Sequence, residues 1–222
     1  MIVRPIVTCE HAGNSIPRPY AKLFSGKARL LASHRGYDLG ALPLARALAR
    51  AFGCPLHFTG VSRLLVDCNR SRESRNLFSE VTRRLEEAER EWILARFYEP
   101  YRREVENDIA ATIAAGAVAL HFSVHSFTPV LGGRKREADI GLLYDPARAI
   151  EREFCKKLAP LLAREIPGIR IRMNYPYRGA TDGFTTALRK KFPGESYLGI
   201  ELEANQALLA KRGGKILSRV RG

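Results

Sequence analysis

The feature that most constrains this chain is the way its hydrophobic pattern changes period. Short β-rich runs alternate with longer helical stretches, the order expected of an α/β fold built on a mostly parallel sheet. Ile2–Cys9 reads as a first strand, followed by the polar turn Glu10-His11-Ala12-Gly13-Asn14-Ser15. Leu39–Phe52 places Leu39, Leu42, Leu44, Leu48 and Phe52 at helical spacing, and Gly53 ends it. Pro55–Phe58 and Leu64–Cys68 read as short strands. From about Glu80 to Ala115 the pattern is helical and charged, and Pro100 predicts a kink, because proline lacks a backbone donor and clashes with the preceding turn. Ala117–Val124 reads as a central strand and Asp139–Tyr144 as another. The remaining pattern predicts a helix at Ala147–Arg164, a strand at Ile169–Met173, a loop at Asn174–Asp182, a helix around Gly183–Lys191, a strand at Ser196–Glu203 and a last helix. With neither repeat nor linker, a single domain over residues 1–222 is expected.

Composition excludes several classes. Hydrophobic residues at 45% and charged residues at 27% are those of a chain with a core, not of a disordered one. The longest apolar runs, such as Ala115–His121, fall well short of the roughly 20 residues a membrane-spanning helix needs. The N-terminal segment has neither a separate basic region nor a small-residue cleavage site, which points to the cytoplasm. Cys9, Cys54, Cys68 and Cys155 form no CxxC pair, so neither a disulfide framework nor a cysteine zinc site is expected. A net charge of +14 would draw polyanions and would equally steer a small anionic substrate. A nucleic-acid-binding module is therefore the competing reading. It is disfavoured because the aromatics are not interleaved with the basic residues and no helix-turn-helix or zinc-finger spacing occurs.

Five motifs carry the polar chemistry: Cys9-Glu10-His11, Asp67-Cys68-Asn69-Arg70, His125-Ser126, Glu201-Leu202-Glu203, and the loop Arg178-Gly179-Ala180-Thr181-Asp182-Gly183. Four of them follow a predicted strand, and open α/β sheets bind ligands at the carboxyl ends of their strands. Two imidazoles, several carboxylates and arginines would then meet in one crevice. That is the inventory of a metal hydrolase: imidazole and carboxylate hold a divalent ion, and a free carboxylate takes a proton from water. The ordinary readings of the same residues are a hydrogen-bonded structural histidine after an apolar strand, and an Asp/Asn turn at Asp67–Arg70. His34, His57 and His121 read as structural or surface residues.

In order along the chain, Thr8–Pro17, Ser62–Arg70, Val124–Phe127, Tyr177–Phe184 and Ile200–Gln206 resemble successive blocks of the N-formylglutamate amidohydrolase family. The resemblance implies a zinc-exopeptidase-like (phosphorylase/hydrolase-like) fold, a three-layer α/β/α sandwich around a mixed, mostly parallel sheet. It also implies metal-dependent hydrolysis, with Zn2+ as the expected ion, of a small anionic N-acyl amino acid such as N-formyl-L-glutamate. Carried over by position, His11 and His125 are the implied metal ligands, with Asp38 or Glu10 as the third. Glu203 is the implied catalytic carboxylate, with Glu201, on the same face of the strand, as its rival. Arg63, Asn69 and Arg70 match a segment that clamps a substrate carboxylate, a task suited to the guanidinium fork. Asn14, Ser126 and Asp182 complete the expected substrate contacts. Arg178, with Arg189 as a further candidate, is expected to bind a second carboxylate or polarise the amide carbonyl. An inactive member that binds a carboxylate ligand is the remaining alternative.

Overall fold

The computed structural model describes residues 2–211. In chain order the elements are β1 (Val3–Cys9), a 3-10 segment (Arg18–Phe24), α1 (Ala28–Leu31), α2 (Ala41–Phe52), β2 (Leu56–Phe58), α3 (Glu87–Ile93), a π-helical turn (Leu94–Tyr98), α4 (Glu99–Ala114) and β3 (Val118–Phe127). The short hairpin β4 (Val130–Leu131) and β5 (Arg134–Lys135) precedes β6 (Ile140–Leu143), α5 (Ala149–Glu165), β7 (Ile171–Met173), α6 (Phe184–Lys191) and β8 (Tyr197–Asn205). Residues 206–211 are helical, where the last helix is expected; the rest of that expectation falls outside the described residues.

Six strands form one sheet in the order β2-β1-β3-β8-β6-β7. The first four are mutually parallel, whereas β6 runs antiparallel to β8 and parallel to β7. Helices cover both faces, as the α/β/α expectation requires. Ile6, Ala119 and Tyr197 pack in the core beneath the 3-10 segment, α3, α4 and α6. Val7, Phe122, Val124, Ile200 and Leu202 pack on the opposite face against α2 and α5.

Two sequence expectations need correction. Leu64–Cys68 is not a strand. Leu64, Leu65, Val66 and Cys68 are apolar because they fill the core, while the carbonyls of Leu64 and Leu65 are taken by the Ser79 and Thr82 hydroxyls, which leaves no ladder to extend. The long helix from Glu80 starts only at Glu87, and its disruption is a π turn just ahead of Pro100 rather than a simple kink. Pro100 sits in the first turn of α4, where its missing donor costs little, and the Glu99 N–H reaches back to the Leu94 carbonyl in a wider turn.

Arg189, a candidate substrate residue, is part of the frame. Its Nε donates to both oxygens of the fully buried Glu151 at 3.0 and 3.1 Å, and its two terminal nitrogens donate to the Gly179 and Gly199 carbonyls. Truncation at one end strands a buried charge at the other. Glu151→Ala is expected to lower stability by about 3–5 kcal/mol in denaturant unfolding; a loss below 1 kcal/mol would show that the pair is solvated.

Candidate active site

Period-two alternation puts a polar row on the sheet face beneath α4 and α6. On β3 the residues His121, Ser123 and His125 share this face with Thr8 of β1 and with Glu201 and Glu203 of β8, while Phe122, Val124, Ile200 and Leu202 point into the other core. Strand register aligns Ser123 with Glu201 and His125 with Glu203. His125, Ser126, Glu201 and Glu203 thus lie within strands that run on through the site, not in loops after them. His11 lies two residues past the end of β1. Asp38 is brought in ahead of α2, its N–H bonded to the His11 carbonyl at 3.0 Å. The turn after His11 packs closely: a Cβ at Gly13 would lie 2.6 Å from the Gly60 carbonyl oxygen.

The result is a cavity of about 180 Å3 lined by His11, Asp38, Arg63, Asn69, Arg70, His125, Ser126, Tyr177, Thr181, Asp182, Glu201 and Glu203. At its floor the Asp38 carboxylate oxygen Oδ2 lies 3.4 Å from His11 Nδ1 and 2.9 Å from His125 Nδ1. The two rings are 5.0 Å apart. Each imidazole is held from behind through its other nitrogen. His11 Nε2 lies 2.7 Å from Asp67 Oδ1, and His125 Nε2 faces Glu10 Oε2 at 3.3 Å and the Ser123 hydroxyl at 2.9 Å. Glu10 is itself fixed by hydroxyl donors, Tyr101 at 3.0 Å and Ser123 at 2.7 Å.

The electrostatics follow from this burial. Desolvation alone would raise the Glu10, Asp38 and Asp67 carboxyls. The histidines, together with Arg63 beside the two aspartates, outweigh it and hold all three below the ordinary carboxylate range. For His125 burial works downward, but bonds to Asp38 and Glu10 hold the imidazole well above its ordinary value. Glu203 goes the other way: burial pushes its carboxyl up to about 8, the His125 charge opposing and Asp38 adding.

A divalent cation fits this donor set. His11, Asp38 and His125 each offer one ligand atom, all within 4.8 Å of one another, and all three residues are buried. Glu203 Oε2 is buried with no hydrogen-bond partner. Imidazoles backed by carboxylates are the usual outer arrangement of metal-binding histidines, since the rear bond fixes tautomer and ring orientation. Glu10, the rival third ligand, is turned toward the rear of His125, which leaves Asp38 as the carboxylate between the two rings.

The other expected residues divide. Arg63 lines the cavity with Nη1 3.2 Å from Asp38 Oδ1 and Nε 3.5 Å from Asp67 Oδ2. Asn69 Oδ1 accepts the Phe184 N–H at 2.8 Å, Arg70 donates to the Asp182 carbonyl, and Asp182 Oδ1 accepts the Ser71 N–H at 3.1 Å. Ser126 donates to the Leu39 carbonyl, and the Thr185 hydroxyl donates to Glu201 at 2.5 Å. Three candidates are not brought in. Arg178 is exposed outside the cavity lining, Asn14 donates to the Leu31 carbonyl, and Arg189 is tied to Glu151. Asp67 belongs to one of the motifs expected to converge on the crevice, with an Asp/Asn turn as its ordinary reading; it does both, accepting the Asn69 N–H at 3.0 Å and bonding His11. His57, paired with Asp108, and His121, between Thr8 and Tyr197, are structural as expected.

Fold and cavity together define an α/β protein with a buried imidazole–carboxylate centre at the carboxyl ends of parallel strands. Residues 3–210 match the family described as N-formylglutamate amidohydrolase. The chain belongs to that family, one of hydrolases acting on amide bonds. A crystal structure of a gene product from Agrobacterium tumefaciens superposes with a TM-score of 0.80 at 32% identity, covering 98% of this chain and 89% of that one. The crystal structure of N-formylglutamate amidohydrolase from Ralstonia eutropha JMP134 superposes with a TM-score of 0.66 over 99% of this chain and 92% of that one; at 18% identity it shows the shared fold. A search of curated proteins gives no match. No helix among the described residues is long and apolar enough to cross a membrane.

Proposed function

We propose that this chain is a divalent-metal-dependent amidohydrolase, with zinc the expected ion, that removes a short acyl group from the nitrogen of an acidic amino acid; its reference substrate is N-formyl-L-glutamate, and its products are formate and glutamate. The observation that carries the reading is the buried set His11, Asp38 and His125 facing the unpartnered carboxylate oxygen of Glu203. The metal would be held by those three residues and, when bound, supplies Lewis-acid polarisation of the amide carbonyl and lowers the pKa of water. Glu203 takes the proton from the attacking water and delivers it to the departing nitrogen, so one water is consumed as the C–N bond breaks. Burial suits it to both tasks by keeping its proton affinity near neutrality. Glu201 is less suited, because the Thr185 hydroxyl already occupies one of its oxygens. Arg63 and Arg70, on the cavity wall and partly exposed, offer guanidinium edges to a substrate carboxylate.

Formate release is expected to be at least tenfold faster from N-formyl-L-glutamate than acetate release from N-acetyl-L-glutamate, because the cavity is small and its reacting end polar. Equal rates would move the acyl specificity elsewhere. The rear carboxylates give a separate prediction: Asp67→Asn keeps the side chain's shape but weakens the hold on His11, and zinc affinity measured by chelator competition falls about 10- to 100-fold. Unchanged affinity would show that His11 is oriented by something else.

A further inference from the structure

Beside the catalytic cavity lies a second, larger space. Arg70, Thr181 and Asp182 line both, so the two adjoin along that wall, where Arg70 donates to the Asp182 carbonyl. The outer cleft measures about 860 Å3 and runs between the segment around Glu73–Asn76 and the loop before α6 together with one side of that helix as far as Lys190. Its apolar lining is limited to Ala180 and Ala187, with glycine and polar side chains elsewhere, so it offers little to an acyl chain or an aromatic group. Its charges are another matter. Arg75 and Lys190 line it and are exposed, and neither forms an ion pair among the described residues. Against them stand two carboxylates, Glu73 and Asp182; Asp182 accepts the Ser71 N–H and lies near Arg70, a third cation of the lining, whereas Glu73 forms no ion pair among the described residues.

A single N-formyl amino acid needs only the inner cavity. The acyl group of such a substrate is uncharged, whereas its amine portion carries the carboxylates. We infer that the outer cleft binds a second acidic residue on the amine side, so that the chain acts preferentially on N-formylated acidic dipeptides, with the formyl amide at Glu203 and the C-terminal residue between Arg75 and Lys190. The inference rests on the amidohydrolase reading for its chemistry. Water adds across the formyl C–N bond, the carbonyl carbon takes the hydroxyl to become formate, and the nitrogen takes the proton to leave as the free dipeptide amine.

The charges give a test with opposite signs. Calorimetry on the purified protein compares binding of glutamate and of glutamyl-glutamate, the product amine, for wild type, Arg75→Ala/Lys190→Ala and Glu73→Gln. Formate release from N-formyl-glutamate and N-formyl-glutamyl-glutamate is followed in parallel. At about threefold per exposed charge, the dipeptide is expected to bind about tenfold tighter than glutamate in wild type. The double variant loses that advantage with glutamate binding unchanged, and Glu73→Gln increases it about threefold. Added salt erodes the advantage. Formate release with no dipeptide preference overturns the cleft assignment and leaves the hydrolase reading standing. Charge-dependent dipeptide binding without formate release from either compound upholds the cleft and overturns the reaction. A double variant that weakens both ligands alike overturns the cleft, since the effect would then be long-range steering.

Discussion

Glu203→Gln should lower kcat for formate release by about 10^3-fold while leaving bound metal unchanged, as expected where one carboxylate both takes and returns the proton. The geometry separates this group from its neighbours. Asp38, Glu10 and Asp67 are each bonded to a histidine, and Glu201 takes the Thr185 hydroxyl, whereas Glu203 keeps a buried oxygen without a partner. The same substitution has a second signature in the chelated protein. Folded Glu203 holds its proton to about pH 8, whereas an unfolded glutamate releases it near 4.5, so this group costs stability progressively as pH rises between those values. Glu203→Gln removes the cost. The chelated variant is expected to melt above chelated wild type at pH 8.5, with the difference vanishing near pH 4. A loss of turnover below tenfold would assign the proton transfer to another group, and Glu201→Gln would be the next variant to measure.

The second large effect belongs to the three residues at the cavity floor. His125→Ala removes an imidazole that bridges Asp38 and Glu10, and it is expected to abolish stoichiometric metal binding and reduce turnover below detection. His11→Ala and Asp38→Ala should do the same. Asp38 and Glu10 raise the proton affinity of the His125 imidazole against the effect of burial. Metal competes with the proton there, and metal affinity should therefore rise with pH. Full metal content in His125→Ala would refute the ligand set, whatever its activity.

Much of this was legible in the sequence because the period of the pattern is a local property. The strands at β1, β3, β6, β7 and β8 were placed within a few residues, and the helix at Leu39–Phe52 contains α2. The alternation His121, Ser123, His125 along β3 even contains the polar row. Leu64–Cys68 misled because apolar residues in an irregular segment buried by the core look like a strand until the hydroxyls of Ser79 and Thr82 are seen on its carbonyls. The rear support was hidden for a different reason. Asp67 stands in a recognisable motif, but its bond to His11 and that of Tyr101 to Glu10 arise only through tertiary packing, and nothing in the spacing of Tyr101 marks it. Arg178 illustrates the converse: its motif matches by position, yet its side chain lies outside the cavity, while Tyr177 beside it lines the wall.

The central claim is that a metal held by His11, Asp38 and His125 is required for amide hydrolysis in this cavity. The direct measurement is formate release from N-formyl-L-glutamate while zinc is titrated into chelated protein. The account predicts no turnover at the start, then a linear rise that levels off at one equivalent per chain. Turnover that survives chelation, or formate absent at every zinc level with the metal bound, would contradict it.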